Sequence, residues 1–261
     1  MHSMRDVTIL ITGAAGGIGQ KLAKALHDQG AKLILTDVNA DKLTELNVSL
    51  GEKHDDFVAD VSKTTQRQSL VDYCENLPYP LQMIINLAGI NRFAAITDHS
   101  DNDIERMLTI NLSSQIALTR DFIPLLEKNA PSTIVNVGSI LGSIGMPGYS
   151  VYCATKFGLR GFSEALHREL AGSGVDVRYF APRATKTALN NDNVNELNKA
   201  LGSAMDSPEQ VANAIVDFLL TDKRRHYFGW PEKLFVRINS ILPGIVDKSI
   251  IKQLPIIKRY F

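Results

Sequence analysis

The sequence has 261 residues, 28 Lys and Arg against 28 Asp and Glu, and 44% hydrophobic residues. That length buries a full core, and balanced charge supplies no global field toward nucleic acid or an anionic surface. Two cysteines, Cys74 and Cys153, are too few for a disulfide framework or a thiolate metal site, and the six histidines show no paired ligand spacing, so no metal is expected.

From the amino end, the chain runs straight into a strand-like segment, with no apolar signal core and no Arg/Ser-rich transit composition. No apolar run reaches the ~18–20 residues that cross a bilayer, so a soluble, cytoplasmic protein is expected. In chain order, strands are predicted over 7–11, 32–36, 56–58, 82–86, 133–137 and 176–180, with a weaker seventh at 226–228. Helices are predicted over 18–29, 40–49, 64–76, 103–128, 150–170 and 208–220. Continuously apolar strands alternating with amphipathic stretches point to an α/β fold: a doubly wound, Rossmann-type parallel sheet of about seven strands, helices on both faces, in one domain over 1–261. Two stretches break the alternation. Residues 183–206, rich in Asn, Asp and Ala, read as a mobile excursion, and 231–261, with Pro243, Gly244 and Pro255, as a broken amphipathic helix.

The first strand ends in Thr12-Gly13-Ala14-Ala15-Gly16-Gly17-Ile18-Gly19, which opens directly into a helix. Glycines placed strand, turn, helix let the backbone approach a dinucleotide pyrophosphate at the positive helix end. Asp37, at the end of the second strand, stands where a carboxylate binds the adenosine ribose hydroxyls. It would repel a 2′-phosphate, which favours NAD over NADP; the plainer alternative is a carboxylate that caps a loop.

Further along, Tyr152 and Lys156 lie four residues apart in one predicted helix, which places phenol and ammonium on one face. A phenol has an ordinary pKa of about 10, and a neighbouring cation favours its ionised form. Ser139 upstream offers a hydroxyl to a substrate oxygen. The three together suggest proton transfer to or from an alcohol oxygen.

Taken jointly, Thr12, Gly13, Gly17 and Gly19, the run Asn86-Leu87-Ala88-Gly89, Asn111, Ser139, and Tyr152 with Lys156 resemble the short-chain dehydrogenase/reductase family over most of the chain. The resemblance implies Tyr152 as general acid/base in hydride transfer with a nicotinamide cofactor. Lys156 would lower the tyrosine pKa and bond the nicotinamide ribose, Ser139 would hold the substrate oxygen, and Asn111 would anchor a relay water. It further implies Gly13, Gly17, Ile18, Gly19, Asp37, Asp60, Val61, Asn86, Ala88, Gly89, Pro182 and Thr187 as cofactor-binding residues, and a homodimer or homotetramer built through the two long helices. Plainer readings stay open: Asn111 satisfying a helix kink, Asp60 as the N-cap of the next helix, and Cys153 as core packing. Arg183 departs from the family, replacing a usual glycine; either its side chain points to solvent or it reshapes the substrate mouth. Asn86-Leu87 stands where Asn-Asn is frequent, a milder departure.

From Pro231 onward, six cations face two acids among many aliphatics. Ile250, Leu254 and Ile257 keep helical spacing although Pro255 should interrupt any single helix. Such a basic amphipathic segment covers an apolar ligand tunnel, lies on an anionic membrane, or packs on the body of the domain or a second subunit. The expected protein is therefore an oxidoreductase interconverting a secondary alcohol and a ketone with NAD(H), on an acyl-, lipid- or steroid-like substrate. The rival readings are a sugar-nucleotide epimerase, a catalytically silent dinucleotide sensor, and a membrane-surface scaffold of the same fold.

Overall fold

A computed structural model describes residues 3–261, leaving Met1 and His2 outside the described residues. The chain alternates β1(Thr8–Thr12), α1(Gly17–Asp28), β2(Lys32–Asp37), α2(Ala40–Ser49), β3(Asp55–Val58), α3(Thr64–Glu75) and β4(Met83–Asn86). It continues with α4(Asp101–Leu108), α5(Ser114–Lys128), β5(Ser132–Val137), α6(Ser150–Glu169), β6(Val175–Ala181), α7(Asp192–Ala200), α8(Pro208–Leu219), β7(Arg225–Tyr227), α9(Glu232–Ile241) and α10(Pro243–Ile257). The seven strands are parallel, in the order β3-β2-β1-β4-β5-β6-β7. The winding direction therefore reverses between β1 and β4, where Thr12 pairs with Asn86. At such a switch point the loops leaving the carboxyl ends diverge and open a crevice.

The strand pattern explains the two layers. Ile9 and Ile11 of β1 pack with Leu22 and Leu26 of α1 and with Val211 and Ile215 of α8. Leu10, pointing the other way, joins Leu70 of α3, Leu118 and Phe122 of α5, and Leu166 of α6. Successive strand residues face opposite layers, so a strand apolar at every position is the signature of a sheet covered on both sides.

Three local findings depart from the sequence reading. The helix predicted over 103–128 divides into α4 and α5 around a π-helical turn, Thr109–Ser113, which contains Asn111. Residues 183–206 include the regular helix α7, capped by the Asn191 side chain on the Val194 amide. The tail breaks at Leu242, where φ −132° and ψ 62° leave the helical region, but α10 runs through Pro255. Pro255 lies in the last turn, where one lost hydrogen bond is offset by burial of Ile257 against Phe93, Val194 and Leu197.

Candidate active site

The crevice holds two adjoining spaces. One is a groove of about 380 Å³ running from Asp37, Asp60 and Val61 across the glycine turn to Gly89. The other is a cavity of about 370 Å³ above β5 and α6, walled by Ser139, Tyr152 and Lys156 on one side and by aliphatics such as Ile144, Leu197 and Ile250 on the others. Ile18, Leu87, Gly89, Thr187 and Leu189 border both, so the spaces are continuous.

The groove's floor is built by the β1 turn. Gly13 has φ +68°, a left-handed conformation, and a Cβ there would lie 2.8 Å from the Ala88 Cα. A Cβ on Gly19 would clash with the Gly13 carbonyl oxygen. The Thr12 hydroxyl accepts from the Leu87 and Ala88 amides at 3.1 and 3.2 Å, tying the two loops that diverge at the switch point. Together these leave a backbone-lined hollow at the amino end of α1, suited to a pyrophosphate. The Asp37 carboxylate accepts from Ala15 N at 3.0 Å and Asn39 N at 3.1 Å. Those bonds aim it, and a carboxylate keeps further lone pairs for ribose hydroxyls. Arg106 is the one cation bordering the groove among the described residues.

Asp60 does not cap α3. The N-cap is Lys63, and the Asp60 carboxylate accepts from Ser62 N at 2.9 Å within the loop. Behind it the buried Arg67 donates to the Val61 carbonyl at 3.0 Å and pairs with Asp121 at 3.0 Å, fixing this end of the groove. Asn86 is likewise displaced from the role expected of it. It is fully buried, donating to Thr119 at 3.0 Å and Asn136 at 2.8 Å, and lines neither space. Its amide joins β4 to β5 and α5 beneath the crevice, because Thr12, its neighbour in register, already holds the loop above.

At the junction of the two spaces stand the residues expected to do the chemistry. The backbone on either side of Ser139 is clamped to the strand beside it: Gly138 N donates to the Phe180 carbonyl at 2.7 Å and Ile140 N to the Pro182 carbonyl at 2.9 Å. The Ser139 side chain accepts from Leu141 N at 3.1 Å and is placed to favour the ionised form of the Tyr152 hydroxyl. Lys156, buried, donates to the Val137 carbonyl at 3.2 Å and sits 5.8 Å from the Tyr152 ring centre. Burial is the dominant influence on both: it pushes the phenol up to about 12, opposed by the Ser139 hydroxyl, and brings the ammonium down to about 8. Burial rather than Lys156 leads among the influences on the Tyr152 phenol, and the ammonium is directed at the Val137 carbonyl and lies over the ring.

Asn111 accepts from Ile90 N and donates to the Ile90 carbonyl, both at 2.8 Å. A Cβ on Gly89 would lie 3.3 Å from the Asn111 Oδ1 and 3.8 Å from Lys156 Nζ, so Gly89, Asn111 and Lys156 converge. The π turn supplies this placement: one extra residue in the helix turns Asn111 inward. Of the remaining expected residues, Pro182 borders the cavity and Thr187 both spaces. Ser143 accepts from Arg160 at 2.9 Å, Thr155 donates to the Tyr152 carbonyl at 2.7 Å, and Cys153 is buried packing, all local roles.

Arg183 does not point to solvent. It makes a two-pronged contact with Asp206 at 2.8 and 2.7 Å, donates to the Trp230 carbonyl at 2.6 Å, and reaches Glu232 at 3.1 Å. One side chain thus joins the end of β6, the end of the 183–206 excursion and the start of the tail. The tail roofs the cavity: Phe235, Val246, Ser249, Ile250 and Gln253 border it, with Val236 and Val246 packed on Ile140 and Ile144. Among the polar cavity residues that sequence reasoning missed are Asn91 and Tyr149. Tyr149 lies one helical turn before Tyr152, 6.2 Å ring to ring, and that i−3 spacing was the signal for it.

Comparison with known proteins agrees with this layout. A family description for short chain dehydrogenases matches residues 7–198. The chain is 32% identical over 235 residues to the 3-oxoacyl-[acyl-carrier-protein] reductase FabG of Rickettsia felis, covering 88% of this chain and 95% of that protein. It is 32% identical over 199 residues to Nodulation protein G of Rhizobium sp. (strain N33), covering 76% and 81% respectively. In fold it superposes on a short chain dehydrogenase/reductase from Burkholderia phymatum in complex with NAD, with TM-score 0.83, 23% identity and coverage of 92% and 95%. A short chain dehydrogenase from Burkholderia cenocepacia in complex with NADP gives TM-score 0.82, 20% identity and coverage of 95% and 98%.

Proposed function

The chain belongs to the short-chain dehydrogenase family, oxidoreductases acting on CH–OH groups, and from that premise we propose that it interconverts a secondary alcohol and a ketone on an apolar substrate with NAD(H). The observation that carries this reading is the placing of Ser139, Tyr152 and Lys156 where a dinucleotide-sized groove meets an apolar cavity. The groove's backbone hollow and the Asp37 carboxylate fit a dinucleotide, held by Gly13, Gly17, Ile18, Gly19, Asp37, Asp60, Val61, Ala88, Gly89 and Thr187, with Pro182 at the cavity end. When bound, its nicotinamide supplies or accepts the hydride.

The remaining work falls to side chains. Ser139 and Tyr152, both on the cavity wall, present two hydroxyls to one substrate oxygen; Ser139 orients it and Tyr152 passes or takes the proton. Lys156 keeps a positive charge at the phenol ring and, with Asn111 beside it, leads away from the site toward the Ile90 loop. Water is kept out by the tail, whose Phe235, Val246 and Ile250 close over the reacting edge. An acyl, lipid or steroid-like skeleton matches walls of this kind, which are apolar apart from a few polar groups such as Asn91 and Tyr149. Preference for NAD(H) is supported by Asp37 and the exposed Val38 beside it. A homodimer or homotetramer is the proposed assembly, with Leu108 of α4 and Phe157 of α6 left exposed for it.

The reading is tested by Tyr152→Phe assayed over a ketone panel with NADH. Loss of the general acid should lower turnover by about 10²–10⁴-fold while cofactor binding, followed by fluorescence, stays near wild type. Turnover within a few-fold of wild type would overturn it.

A further inference from the structure

We propose that the outer face of the α9–α10 hairpin is a docking surface for an anionic lipid bilayer, set directly over the cavity it roofs. The hairpin has two unlike faces. Inward, Val236 and Val246 are buried on Ile140 and Ile144, and Ile250 borders the cavity. Outward, Leu234, Ile241, Leu242, Ile245 and Ile251 are exposed by 40, 76, 54, 57 and 63%. Five consecutive residues at the bend, Ile241-Leu242-Pro243-Gly244-Ile245, are exposed and carry no polar side chain. An apolar tip of this kind is costly in water, so it calls for a cover.

Charge selects the cover. The exposed cations flanking the tip are Lys233, Arg237, Lys248 and Lys252, with Lys258 and Arg259 beyond. Of the two acids in the tail, Glu232 is already held by Arg183 at 3.1 Å, which leaves Asp247 as the only other opposing charge. Trp230, 62% exposed, has the Lys233 ammonium 5.6 Å from its ring centre. Aliphatic residues at the tip, an aromatic at the margin and lysines around both are what an interfacial helix presents to acidic headgroups. A second copy of this chain fits less well, because the buried centres of protein interfaces are depleted in Lys. Among the described residues no helix is long and apolar enough to cross a membrane, so the contact is peripheral.

Delivery of an apolar substrate from the bilayer rests on the reaction proposed above, whereas docking itself does not. The experiment is co-sedimentation of the full chain with vesicles of phosphatidylcholine alone or mixed with phosphatidylglycerol, with light scattering run in parallel. The wild type should bind the mixed vesicles and release them at high salt. Ile241→Ser/Leu242→Ser/Ile245→Ser should lose about tenfold or more of the bound fraction, and Lys248→Glu/Lys252→Glu should lose the preference for anionic vesicles. Both variants should keep wild-type turnover of a small water-soluble ketone, since none of these residues borders the cavity. Absence of wild-type binding, or a triple-Ser variant that binds equally well, overturns the proposal. So does a triple-Ser variant whose main change is a smaller oligomer, because the face then belongs to a second copy. A chain that binds vesicles but turns over no ketone overturns the reaction and leaves the docking in place.

Discussion

At the scale of single residues, the titration of Tyr152 and Lys156 sets a direction-dependent pH response. With the phenol near 12 and the ammonium near 8, the protonated phenol needed for ketone reduction is fully present at neutral pH. Alcohol oxidation needs the phenolate, whose population grows tenfold per pH unit. Initial rates at saturating cofactor should therefore be nearly flat between about pH 6 and 8 for reduction, and rise about tenfold per unit for oxidation. Asp37 carries the second prediction. Asp37→Ala should shift the NADH to NADPH ratio of kcat/KM by about tenfold or more, the loss of a charged hydrogen bond being ~1.5–3 kcal/mol; Arg106→Ala should leave the ratio unchanged. The positions of these residues beside the crevice were legible in the sequence because they depend on spacing within one turn or one loop. Asn86 was not, because a short polar side chain says nothing of whether it faces the crevice or the layer beneath.

At the scale of elements, the alternation of strand and helix was readable because a sheet covered on both faces imposes continuous apolar runs. Strand ends fell within a residue or two. The π turn at Thr109–Ser113 and the passage of α10 through Pro255 were not readable, since each is decided by packing against distant parts of the chain: the Ile90 loop for Asn111, α7 and Phe93 for Ile257. The joint between α3 and α5 offers a test of such packing. Arg67 and Asp121 are only 6 and 5% exposed, and Asp121→Ala leaves Arg67 buried without its counter-charge. Urea unfolding should show a loss of about 3–5 kcal/mol. Because Arg67 also holds the Val61 carbonyl, KM for the dinucleotide should rise while kcat changes little.

At the scale of the whole molecule, Arg183 was the residue least readable in advance, because its partners lie 23 to 49 positions further on. Its charge is held firmly by Asp206 and Glu232. Arg183→Lys cannot reproduce the two-pronged contact with Asp206, and Arg183→Met leaves that buried carboxylate unpaired. Both should raise KM for long ketones more than for short ones, Met more than Lys, with KM for NADH nearly constant; an equal rise for both chain lengths would show that the junction does not shape the cavity. The same junction marks a division of labour along the polypeptide. Apart from Thr187 to Leu189, every residue bordering the groove precedes Gln115, whereas the cavity's roof comes from the tail and much of its wall from Pro182 onward. Inheritance of the two parts can therefore be separate: a lineage can exchange what the protein accepts by rewriting its last third, while the stretch before it, which carries the groove and Ser139, Tyr152 and Lys156, passes down untouched.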